Sequence, residues 1–159
     1  MKVIVVVAAL IWASQASAAK LYAFEGLSAQ HHDVPVAIDV ALNGIASKPI
    51  QECQKQLRAS DEEMRHYFTA IPVRLSVKRT AVLVLPTRYC YPFFGAHAIA
   101  FWLFEVESQR PRMLLASVQD TMEVGNRFTN GLPDITTRYG SFESHLYRYN
   151  GKQYTEQPK

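Results

Sequence analysis

The chain has 159 residues, of which 48% are hydrophobic and 19% charged, and its formal net charge is +3. That composition supports a packed core and excludes a disordered linker, while a mild positive excess without any basic run excludes nucleic acid as a partner. Beyond the first residues no segment approaches 18 consecutive apolar residues, so a soluble chain with no membrane association is expected.

The chain opens as an export leader. Lys2 provides a short positive region, residues 3–12 are an apolar run too short for a stable anchor, and Ala16-Ser17-Ala18 offers the small-x-small pattern of a cleavage site. Cleavage after Ala18 or after Ala19 fits equally. Either leaves about 140 residues, expected as a single globular domain over 20–159. Loss of Lys2 leaves 16 basic residues against 14 acidic ones. Cys53 and Cys90, the only cysteines, would then meet an oxidising compartment, and a disulfide between them is the default reading. It would close a loop of about 37 residues and contribute roughly 3–4 kcal/mol on the loop-entropy model. Two free or metal-bound thiols are the alternative.

Residues 33–70 read mostly as helix. Asp33 is placed to cap a segment with Pro35 in its first turn and Ile38, Leu42 and Ile45 at helical spacing. Asn43-Gly44 fits a hairpin turn as well. Pro49 can open a second helix with Ile50, Cys53 and Leu57 on one face, and Ser60 with Glu63 forms a capping-box pattern for a third that ends before Pro72.

From Val73 the hydrophobic period falls towards two. Arg74, Ser76 and Lys78 alternate with Val73, Leu75 and Val77, predicting a half-wet strand. Residues 81–86 read as a buried strand, and 97–107, apolar on both faces, as a central one. Residues 108–111 turn the chain, and "RMLLASV" returns beside the central strand. Further strands are expected near 134–139 and 145–149, with Asn150-Gly151 as a hairpin turn to Gln153-Tyr154. Short strands with short connections predict an antiparallel sheet over the C-terminal two-thirds, covered on one face by short N-terminal helices, in an α+β fold.

Chemistry is hard to find. A calcium-loop register over Asn126, Phe128, Asn130 and Gly131 puts a ring where an oxygen is needed and Thr137 where a bidentate glutamate should close the loop. Ser141, Glu143 and His145 alternate, yet side chains two apart on a strand stand parallel and do not converge as a triad must. Cys90 with His97 resembles a thiol–imidazole pair, but a second cysteine competes for the thiol. His31-His32-Asp33 lacks any supporting His-x-x-x-His or Cys-x-x-Cys spacing. The residues therefore point to no enzyme, no cofactor and no metal, with His97 and His145 as the positions to change if an activity were found. What stands out is arginine and tyrosine in two loops, Arg88, Tyr89 and Tyr91 in "TRYCYPFFG" and Arg138, Tyr139, Ser141 and Glu143 in "TRYGSFE". Such side chains carry binding energy at protein interfaces; they also cover sheet ends.

"WLFEV…RMLL…TNGLPDI…YGSFESHLYRYNGKQY" resembles the C-terminal half of small secreted proteins of Gram-negative bacteria, those with an assigned role being periplasmic inhibitors of cell-wall hydrolases. These include lysozyme inhibitors and the immunity proteins that protect a cell from type VI secretion amidases. The resemblance covers roughly residues 98–154. It is carried by Trp102, Gly131, Asp134, Ile135, Tyr147, Tyr149, Gly151 and Tyr154, positions that build a sheet. It implies a periplasmic inhibitor or immunity protein whose partner is a peptidoglycan hydrolase; a homodimer is left open. Lysozyme inhibitors of this type present a Ser-Gly loop, which Gly140-Ser141 matches poorly, so an amidase is the favoured target. The alternative is a non-inhibitory periplasmic envelope protein that binds glycan or a protein partner.

Overall fold

The computed structural model describes residues 18–87, 91–95, 98–106 and 110–159, with Tyr91 described by its backbone only. In chain order the elements are β1 (Lys20–Ala23), α1 (Phe24–Ser28), α2 (Val36–Ile45), α3 (Ser47–Leu57), α4 (Asp61–Arg65), β2 (Phe68–Arg74), β3 (Thr80–Pro86) and a 3₁₀ turn (Tyr91–Phe93). There follow β4 (Ile99–Glu105), β5 (Arg112–Gln119), β6 (Thr121–Thr129), β7 (Leu132–Tyr139), β8 (Glu143–Tyr149) and β9 (Tyr154–Glu156). The fold is α+β: short N-terminal helices followed by antiparallel strands.

The strands form two sheets, in the orders β2-β3-β4-β5 and β1-β6-β7-β8-β9. Alternation along β4 shows how the layers stack. Ile99, Phe101 and Leu103 join Leu83, Leu114, Met122, Leu132 and Ile135 in a core between the sheets. Ala100, Trp102 and Phe104 join Ile38, Leu42, Ile50, Cys53 and Met64 in a second core beneath the helices. All seven residues of β4 are buried, because successive side chains face opposite layers that are both covered. The unbroken apolar run in the sequence has this cause.

Local sequence explains the helices only in part. α2 starts at Val36 with Pro35 as its N-cap and no side-chain cap, so Asp33 does not play the expected part. Pro35 presets the φ a helix needs and donates no hydrogen bond that the first turn would miss. α3 buries Ile50 and Cys53, and Leu57 packs at the edge of the same core. Cys53 is disulfide-bonded; Cys90 lies outside the described residues. The capping box forms as read: Ser60 Oγ accepts from the Glu63 amide, and the Glu63 carboxylate accepts from the Ser60 amide at 2.8 Å. The Ser60 backbone and side-chain hydrogen bonds hold the Glu63 carboxyl below its ordinary range. Asn43-Gly44 remains within α2, the Asn43 amide donating back to the Asp39 carbonyl at 2.9 Å.

Two strand expectations change, and one pairing joins segments that no strand reading covered. β2 begins at Phe68 and contains Pro72, which an edge strand tolerates because its outer side has no ladder to complete. The pattern over 73–78 is the end of this strand plus a turn: the Leu75 amide donates to Arg79 O, Ser76 Oγ accepts from the Lys78 and Arg79 amides, and Val77 is left exposed. β1 and β6 pair with each other, Lys20 opposite Val124.

Candidate functional site

Strand register fixes an exposed hairpin between β7 and β8. Arg138 faces Ser144 and Tyr139 faces Glu143 across β7 and β8, so Gly140, Ser141 and Phe142 form the connection. Gly140 has φ +56°, in the left-handed region that a side chain disfavours. Asp120, in the β5–β6 connection, anchors the turn from below. Its carboxylate accepts from the Gly140 amide, its own amide donates to Arg138 O at 2.8 Å, and its carbonyl accepts from the Phe24 amide at 3.0 Å. Above this anchor the Phe142 ring is 98% exposed and Tyr139 39%. The Arg138 guanidinium reaches only 3.9 Å from Glu123, a loose surface pair.

Of the residues expected at a site, Arg138, Tyr139, Ser141 and Glu143 therefore lie on one hairpin. Tyr91 sits at the start of the 3₁₀ turn, while Arg88 and Tyr89 lie outside the described residues. The strand ends that bracket the 87–98 connection are still informative. Ile99 pairs with Gln119, the neighbour of Asp120, so that connection and the β7–β8 hairpin leave from the same end of the sheets. The loop 138–143 read as a contact edge includes Phe142 without singling it out, and Asp120 lies outside every reading of the sequence. A phenylalanine inside a Gly-Ser turn was the available signal for the first, because turns favour small and polar residues; nothing local marks Asp120.

The tested chemistries find their places as well. Ser141 is in the turn rather than on a strand, so it does not share the strand face of Glu143 and His145. The His145 ring nitrogens face carboxylates, Nδ1 to Glu156 at 2.6 Å and Nε2 to Glu143 at 3.3 Å, and neither faces a hydroxyl. The calcium-like register is a two-residue hairpin between β6 and β7: Asn130 and Gly131 have φ +50° and +84°, as a type I′ turn requires. Asn130 Nδ2 donates to Tyr149 O at 2.8 Å, tying this turn to β8. Asp134 is buried and committed elsewhere, accepting from Thr129 Oγ1 at 2.6 Å and facing Arg148 at 3.4 Å.

A different polar cluster closes the opposite end of the sheets. Glu105 of β4, 2% exposed, is paired with Arg79 and with Arg112 of β5, and Arg112 donates to the Tyr149 hydroxyl at 3.0 Å. The Tyr149 hydroxyl donates in turn to Gly151 O at 2.8 Å, and Arg79 stacks over its ring with the guanidinium carbon 5.3 Å from the centroid. Burial pushes the Glu105 carboxyl up, but hydrogen bonds and charge from Arg112 and Arg79 outweigh it and hold the group below its ordinary range. A third polar feature is a cleft of about 640 Å³ among α2, α3 and α4, lined by Asp39, Asn43, Gln51, Gln54, Asp61 and Arg65 among others.

Compared with protein-family models, with curated proteins and with solved structures, the chain finds no match. Among the described residues no helix is long and apolar enough to cross a membrane.

Proposed function

We propose that this protein is a binding inhibitor of a cell-wall hydrolase, acting in the periplasm, with the β7–β8 hairpin entering the enzyme's cleft. One observation carries the binding part: an aromatic ring, Phe142, stands 98% exposed at the tip of a hairpin that Asp120 anchors to the scaffold. A solvent-facing ring is an unfavourable surface that burial in a partner's pocket relieves. An anchored turn also loses little conformational freedom on binding. Tyr139 and Arg138, at the end of β7 on the same hairpin, are two further residue types enriched at interface hot spots. The hydrolase as target, and an amidase effector in particular, rests on the export leader and on the resemblance of residues 98–154; the loop geometry does not choose among enzymes. Inhibition by occlusion needs no acid, base or nucleophile on the inhibitor.

The polar cleft among the helices favours a second reading, a non-inhibitory envelope protein binding glycan. Its amides and carboxylates are the groups that pair with sugar hydroxyls. Both readings meet in one experiment. The mature chain is mixed with purified peptidoglycan amidases and muramidases, and the digestion of isolated sacculi is followed. The inhibitor reading expects stoichiometric inhibition of one enzyme class, weakened about 30-fold or more by Phe142→Ala, the size of a hot-spot loss near 2 kcal/mol. No inhibition of any class removes it. Co-sedimentation with sacculi in the absence of enzyme, lost in Gln51→Ala/Gln54→Ala and retained in Phe142→Ala, installs the glycan reading instead.

A further inference from the structure

We propose that His31, Asp33 and His66 form a surface site for a divalent transition metal ion, Zn²⁺ by its donor set, with water in the remaining coordination position. One ligand atom from each of the three lies within 4.8 Å of the others, and the His31 and His66 rings stand 6.1 Å apart, centroid to centroid. The sequence hides this arrangement. His31 and Asp33 flank His32 in an extended segment, whereas His66 comes from the residue that ends α4.

Backbone hydrogen bonds bring the two segments together without help from the three donors. The His32 amide donates to Thr69 Oγ1 at 3.1 Å, and its carbonyl accepts from the Ala70 amide at 3.3 Å, so the segment lies along the outer edge of β2. In an extended chain residues on either side of His32 project to the same side, which places His31 and Asp33 together. His66 is held from both directions: its amide donates to Glu63 O at 3.0 Å, and its carbonyl accepts from Thr87 Oγ1 at 3.2 Å. Among the described residues no hydrogen bond or ion pair competes for the His31 and His66 ring nitrogens or the Asp33 carboxylate.

Two imidazoles and one carboxylate suit zinc, copper or nickel and not calcium or magnesium, which take oxygen donors. Tetrahedral zinc with bonds of about 2.0–2.1 Å holds its donors about 3.3 Å apart, so closure asks for roughly 1.5 Å of movement at most. All three side chains are exposed, and rotation about their own χ angles supplies movement of that size. The other histidine–carboxylate cluster offers no such site, since the two nitrogens of His145 already point at different carboxylates. The proposal is independent of the inhibitor reading.

The test uses the tag-free mature chain, stripped with chelator and titrated with Zn²⁺ by calorimetry, with Co²⁺ absorption as a second readout. One ion per chain is expected, with thermal stability rising as zinc is added. His31→Ala and His66→Ala should each weaken binding about tenfold or more and abolish the Co²⁺ band, while His145→Ala changes neither. The metal-free variants should melt where the metal-free parent does, because these side chains support no packing. Absence of zinc binding by the parent chain overturns the site. Binding that persists unchanged in His66→Ala also overturns it, by placing the ion elsewhere.

Discussion

The two ends of the paired sheets are built on opposite plans. At one, Arg79 and Arg112, themselves partly exposed, close on the buried Glu105 carboxylate, and Arg112 also reaches Tyr149, tying β4 and β5 to β8 through charge-assisted hydrogen bonds. At the other, Phe142 faces water, and Gln119 Oε1, Asp120 Oδ1 and Thr121 Oγ1 are buried with no hydrogen-bond partner among the described residues. Buried acceptors without partners cost stability, and folds retain them where another requirement outweighs it. The contrast therefore separates an end tied together by charge from one that leaves a ring exposed and several acceptors unpaired.

Breaking the closed end should produce the largest effect. Glu105→Gln leaves two partly exposed arginines without their shared counter-charge, at an expected cost of about 1.5–3 kcal/mol in urea unfolding, with the hairpin's conformation intact if the mutant still folds. A loss below about 1 kcal/mol would mean that the cluster is surface decoration. Phe142→Ala is the complementary test: stability within about 0.5 kcal/mol of the parent, while partner binding falls as described above. Asp120→Ala removes the acceptor beneath Gly140 at about 1 kcal/mol, and hydrogen exchange should rise selectively over 138–143. The mildest probe is pH. Glu105 titrates below its unfolded value, so its contribution is complete above the unfolded pKa and is lost as pH falls through the lower folded one. Melting temperature should decline in acid, and Glu105→Gln should flatten that decline.

How much of this was legible depends on whether the cause is local. The Ser60–Glu63 capping box and the double-sided burial of β4 follow from residues close in sequence, and both appear as read. Asn150-Gly151 fits a two-residue hairpin turn, yet Tyr149 pairs with Tyr154, leaving a four-residue connection in which Asn150 Oδ1 accepts from the Lys152 and Gln153 amides. The type I′ turn belongs instead to Asn130-Gly131, a dipeptide of the same composition. Composition alone does not distinguish them; strand register does. β1 is too short to show a period and pairs only with the distant β6, while β6 alternates over its first half only and takes the rest of its order from β1 and β7. The Arg79–Glu105–Arg112–Tyr149 cluster was invisible for the same reason: its members meet only after both sheets have formed. Of the candidate site, the loop 138–143 is legible as a turn between strands, and the exposure of Phe142 at its tip is not.

The pairing of β1 with β6 has a consequence for how the chain matures. Lys20 meets Val124, about one hundred residues later, so the earliest described strand has no partner until most of the polypeptide is present. Assembly of the five-stranded sheet is thus postponed until the C-terminal strands are present.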